Sequence, residues 1–209
     1  MGTLSVRWSV LFLIVASAPS FGQVLYSNGP VNGTTDGWTI NFGFAVSDNF
    51  TLSSPSPVTG VDFYAWTFPG DVLENAEVAI TSSEFGGTTY SDQIVSFAQS
   101  ACSANQYGYN VCLESSSGMT PVSLSGGTYW LNLENAVVND GDPIFWDENS
   151  GPSMASQNSI GTIPSESFTL NASCEGAGCG PPSPEPSSIL LLGSGLLALS
   201  PLVRLRMRR

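Results

Sequence analysis

Trp38-Thr39-Ile40-Asn41-Phe42-Gly43-Phe44-Ala45-Val46 alternates without a break, and an extended chain would place Trp38, Ile40, Phe42, Phe44 and Val46 on one face. Period two is the pattern of a half-buried strand, and the same texture runs outward in both directions. Thr, Ser, Val, Phe, Tyr and Trp dominate, clusters of Gly, Asn, Asp and Pro interrupt them, and helix-period runs are absent. Further strand candidates are 49–53, 58–66, 77–82, 93–98, 107–113, 121–124, 128–133, 144–147 and 167–172. The fold expected over residues 23–172 is all-β, a single β-sandwich of jelly-roll type. Ser47-Asp48-Asn49-Phe50-Thr51-Leu52 is echoed by Ser165-Glu166-Ser167-Phe168-Thr169-Leu170, which suggests a first and a last strand lying side by side.

The flanks have a different character. In residues 1–22 Arg7 is the only charge, Val10 to Val15 is apolar, and Ala16, Ala18, Ser20 and Gly22 are small. This reads as a secretory signal peptide, cut before Gln23 or, in the alternative, after Ala18. Residues 173–183 form a Gly/Pro/Ser-rich linker. Beyond it, 184–209 divides into Pro184-Glu185-Pro186-Ser187-Ser188, an apolar helix over 189–203, and a basic tip over 204–209 containing Arg204, Arg206, Arg208 and Arg209. The apolar helix would span roughly 22 Å against a hydrocarbon core of about 30 Å. Gly193 and Gly195 weaken it further, and the arginines favour the cytoplasmic side. An ordinary single-span anchor is the alternative.

That ordered set of motif, apolar span and arginine tip resembles the PEP-CTERM sorting domain of Gram-negative bacteria; Pro201 within the span is a departure. The resemblance implies export by the secretion machinery, transient insertion of the tail in the inner membrane, and processing at Pro184, Glu185 and Pro186 by an exosortase. It also implies a destination at the cell surface or in the extracellular matrix, with a link to exopolysaccharide and biofilm. Asp48-Asn49-Phe50-Thr51-Leu52, Val58-Thr59-Gly60-Val61-Asp62-Phe63, Gly126-Gly127-Thr128-Tyr129-Trp130-Leu131 and Trp146-Asp147-Glu148-Asn149 resemble elements of β-sandwich exodomains that precede this signal. That second likeness implies a fold and no activity.

Charge narrows the function classes. Between Gln23 and Val203 there is no Lys, Arg or His, while all 17 Asp and Glu of the chain lie there. Such a body repels nucleic acid and anionic lipid, and its available counter-charge is an external divalent cation. Cys102, Cys112, Cys174 and Cys179 all fall in the exported part, where an oxidising compartment favours disulfides. Sequence proximity suggests Cys102–Cys112 and Cys174–Cys179, among three pairings open to four cysteines.

Three constellations could carry chemistry. Without His, Lys or Arg no nucleophilic triad or lysine base can form, leaving a carboxylate-dependent glycoside hydrolase on Asp147 and Glu148 as a remote alternative. Asp140, Asp142 and Asp147 concentrate hard oxygen ligands suited to a structural calcium ion, although Asn139-Asp140-Gly141-Asp142-Pro143 is equally turn chemistry. Alternation places Val61, Phe63 and Ala65 on one face with Asp62, Tyr64 and Trp66 opposite, and Tyr129, Leu131 and Leu133 on one face with Trp130 and Asn132 opposite. Tyr64, Trp66 and Trp130 would then form an exposed glycan platform, or else would themselves be core. The expected role is structural or binding, without catalysis, in an exopolysaccharide matrix; a lectin-like carbohydrate-binding module is the alternative.

Overall fold

The computed structural model describes residues 23–172; the expected leader, linker, sorting signal and processing motif, and Cys174 and Cys179, lie outside the described residues. In chain order the strands are β1 (Gln23–Ser27), β2 (Gly37–Thr39), β3 (Ala45–Leu52), β4 (Ser56–Val58), β5 (Gly60–Thr67), β6 (Leu73–Ser83), β7 (Gly86–Ala104) and β8 (Asn110–Ser117). They continue with β9 (Val122–Leu124), β10 (Gly127–Val138), β11 (Phe145–Asn149), β12 (Ala155–Gln157), β13 (Gly161–Ile163), β14 (Ser165–Glu166) and β15 (Phe168–Ala172). The described residues are all-β, with no helix among them.

All strand pairs are antiparallel, and the principal order is β1-β15-β5-β8-β7-β6-β10-β3-β12-β13. β11 joins β5, β2 and β14, and β4 and β9 form a separate ribbon. The 19-residue β7 is what turns the sheet. Its first half pairs with β6 from Gly86 to Ser96, and its second half pairs with β8 from Ser96 to Ala104. The sheet therefore curls on itself, and Phe50 of β3 meets Tyr26 of β1 and Phe168 of β15 with ring centroids 5.9 and 6.4 Å apart.

Alternation explains the core. Val61, Phe63 and Ala65 of β5 and Leu131 and Leu133 of β10 are fully buried, as the period-two pattern requires. Phe168 and Leu170 of β15, Val78 and Ile80 of β6, and Trp146 of β11 complete the same cluster. Three carboxylates share that interior: Asp48, between Val46 and Phe50 on the inward face of β3, Glu114, paired with Phe63, and Glu166, close to Asp48.

Near Cys102 the register of β7 against β8 slips, so that Ala101 and Cys102 together oppose Cys112. Ala101 takes φ +49°, and the disulfide expected between Cys102 and Cys112 closes this bulge with a Cα–Cα distance of 4.1 Å.

The opening stretch needs a correction. Trp38 to Val46 is not one strand, because Asn41 to Phe44 forms a tight turn between β2 and β3. Phe42 and Gly43 adopt φ of +57° and +84°, and Phe44 N–H donates to the Asn41 carbonyl at 3.0 Å. Asn41 pins the turn through its amide, donating to Asp142 O and accepting from Ile144 N–H. Ile40 and Val46 remain core, but Phe42 and Phe44 are exposed. The two echoing segments are corrected as well. β3 pairs with β10 and β12, and β15 with β1 and β5, so they are not neighbours in the sheet. They meet through side chains instead: Asp48 Oδ2 accepts from Glu166 N–H at 2.8 Å.

Candidate functional site

One concave feature of the described body lies on the outer face of β6, β10 and β3, and a shallower one runs along Tyr90–Gln93 and Thr120–Ser123. Trp130 pairs with Thr81 and Asn49, Asn132 with Ala79 and Ser47, and Glu134 with Glu77 and Ala45. Paired residues project to the same face, so these side chains form rows. Small residues at Ala45, Ala79 and Thr81 leave the centre of the face hollow, a groove of about 320 Å³. Glu77, Glu134, Asp92, Thr89, Asn158 and Phe85 form its walls.

The groove is rich in acceptors. Asn132 is 3% exposed; its amide donates to Thr81 Oγ1 at 2.9 Å, while its carbonyl oxygen has no partner. Glu77 accepts from Asn135 Nδ2 at 2.7 Å. Partial desolvation and then the charge of Glu77 raise Asp92, and desolvation followed by Glu77 and Asp92 raises Glu134. Trp130, half-buried two residues before Asn132 on the same face, flanks the groove beside Thr81.

The structure does not bring Tyr64, Trp66 and Trp130 into one platform. Tyr64 and Trp66 are on β5 and Trp130 on β10, with β8, β7 and β6 between them in the sheet. Trp66 is 5% exposed, stacks on Tyr107 at 5.8 Å and donates from Nε1 to Asp147 Oδ1 at 2.6 Å. Burial wins there because the indole N–H finds a carboxylate inside the protein.

Asp147 departs from the calcium set for the same reason. It is fully buried, and its two oxygens accept from Trp66 Nε1, Gly33 N–H at 2.7 Å and Asn32 N–H at 2.8 Å. Burial still outweighs these bonds and raises its pKa. Its neighbour Glu148 accepts from Trp38 Nε1 at 3.0 Å, is itself buried, and pairs across the sheet with Glu166. Successive residues of a strand face opposite ways, so Asp147 and Glu148 do not converge on one bond.

Asp140 and Asp142 are instead joined by Asp71, a residue sequence reasoning passed over. One carboxylate oxygen from each of Asp71, Asp140 and Asp142 lies within 4.8 Å of the others. Burial, then the adjacent Asp140 and Asp142 carboxylates, push Asp71 up to about 6. Its only local signal is the turn Phe68-Pro69-Gly70-Asp71, and nothing in the sequence places that turn beside residue 140. The groove acids were equally hidden: Glu77 and Glu134 are far apart in the chain and adjacent only through register. Compared with protein-family models, curated proteins and solved structures, the chain matches none of them.

Proposed function

We propose that this chain is an exported, exosortase-processed protein whose body, a jelly-roll-like β-sandwich, serves the cell surface or exopolysaccharide matrix by binding carbohydrate. The observation that carries the reading is the groove itself. Sugar hydroxyls are donors as well as acceptors, and the carboxylates of Glu77, Glu134 and Asp92 offer acceptors to receive them. Trp130 and Phe85 supply apolar surface for the C–H face of a pyranose ring. An uncharged or cation-bearing glycan suits the site, since the described body has only acidic charges.

The PEP-CTERM-like tail and the signal peptide support the location. The test is one fractionation of the secreting host, with and without its exosortase, scoring intact mass and the share of protein held by extracellular polysaccharide. The expected outcome is a mature form running from near Gln23 to near Pro184 that co-fractionates with polysaccharide. Trp130→Ala and Asn132→Ala should each lower that retention about tenfold, the usual scale for truncating a residue that matters to binding. A full-length form that stays in the membrane irrespective of exosortase, or variants retained like the parent, overturns the reading.

Glu77 and Glu134, directly opposite on neighbouring strands in one groove, favour a second reading, carboxylate-dependent glycoside hydrolysis with Glu134, raised by desolvation and its acidic neighbours, in the acid role. Release of new reducing ends, lost in Glu134→Gln, would establish it in place of simple binding.

A further inference from the structure

We infer that Asp71, Asp140 and Asp142 form a calcium site that clasps the loop between β5 and β6 to the loop between β10 and β11. Three carboxylate oxygens converge within 4.8 Å, two of them on the exposed Asp140 and Asp142 and the third on Asp71, which is 5% exposed. Oδ2 of Asp71 is buried without a hydrogen-bond partner, and its side chain is directed at the other two.

Once ionised, a buried carboxylate oxygen facing two more carboxylates needs positive charge beside it, and the body supplies none: no Lys, Arg or His occurs from Gln23 to Val203. The source must therefore be external. Three hard oxygen donors with solvent access at Asp140 and Asp142 suit calcium, which accepts mixed carboxylate and water ligands in loose geometry.

The scaffold on either side is already fixed. Asn139 N–H donates to the Val72 carbonyl at 3.2 Å and Asn139 Oδ1 accepts from Val72 N–H at 2.9 Å, tying the two loops together beside the carboxylates. Asn41 Nδ2 holds the Asp142 carbonyl at 3.0 Å, and Gly141 N–H closes onto Val138 O at 3.1 Å. The carboxylates are thus held close by main-chain bonds and by the Asn41 and Asn139 amides despite their mutual repulsion, which is the condition under which a cation gains most. This site is separate from the groove and does not rest on the carbohydrate reading.

The experiment is thermal unfolding and calorimetric titration of the full chain, stripped with EDTA and returned to calcium chloride or magnesium chloride. At 10 mM, with affinity in the range of extracellular calcium modules, calcium should raise Tm by about 3–10 °C, and magnesium should do less. Asp71→Asn removes one repelling charge, so it should melt at or above the parent without calcium yet lose the calcium response. Asp142→Asn should behave likewise, and that pairing of retained fold with lost response separates a ligand from a merely structural residue. Failure of calcium to bind or raise Tm overturns the proposal, as does a calcium response that survives Asp71→Asn. A response lost in Glu134→Gln but kept in Asp71→Asn would move the cation to the groove and overturn it equally.

Discussion

Asp147 illustrates how a single carboxylate can organise a loop. Its three donors come from Trp66 on β5 and from the main chain of Asn32 and Gly33, so it holds the segment between β1 and β2 against the sheet. Gly33 serves this geometry with φ +66°, a backbone state that side chains disfavour. Asp147→Asn keeps the shape but replaces one acceptor oxygen with an NH₂ group that faces another donor. Two effects add, a lost charge-assisted bond and a buried donor left without an acceptor. The expected loss is about 2–4 kcal/mol, read from the urea midpoint at constant slope.

At the scale of elements, β7 and its bulge decide how the sheet turns. Cys102 can face Cys112 only because Ala101 adds a residue to β7, and the disulfide then fixes the register on the far side of the slip. Replacing both cysteines by serine should lower unfolding stability by about 2–3 kcal/mol, the value for a closed loop of this length, and a urea titration would show it. The longer strands were legible: each of the nine further candidates overlaps an observed strand, because alternation is a local property. What escaped were β1, whose Val24-Leu25-Tyr26 run does not alternate, β12, β13 and β14, too short or too polar to show a period, most of β4, and the Asn41–Phe44 turn. There Gly43 was the visible clue, and the unbroken alternation of its neighbours masked it. Which residues of β5 and β10 share a face was also readable, but not that Trp66 and Asn132 on the opposite faces are buried as well, and the groove and the Asp71 cluster depend on pairings between distant segments. Composition and periodicity contain no register, so those sites could not be read.

For the whole molecule, acidity without any basic partner sets the response to pH. Burial pushes Asp48 from 3.8 to about 6, against hydrogen bonds from Ser153, Glu166, Asn49 and Asn28 that act to lower it. Burial likewise takes Glu114 from 4.5 to about 7, opposed by the Gln99 amide at 3.0 Å, and raises Glu166, both of whose side-chain oxygens lack partners. Each raised carboxyl keeps a proton in the folded state that the unfolded chain has already released. Its contribution is complete below about pH 4 and is lost as pH rises through about 6 for Asp48 and about 7 for Glu114. Urea stability should therefore be greatest under mildly acidic conditions and decline toward pH 8. Glu114→Gln, which retains an acceptor for Gln99, should flatten the decline between about pH 4.5 and 7 and exceed the parent at pH 8. An unfolding curve that gains stability over that interval would contradict the assignment.

The first and last described strands are partners, with Gln23 opposite Ala172. A ribosome or a translocon delivers them in the opposite relation, separated by the entire body. β5, which has β15 on one side, must wait more than a hundred residues for that neighbour, with its hydrogen-bonding edge uncovered meanwhile. Slow, long-range closure of this kind is a window in which another chain's strand can pair first. Once shut, the same arrangement leaves both ends of the body at one seam. A short peptide bridging Ala172 to Gln23 would make the domain a closed circle that could be reopened at another exposed turn.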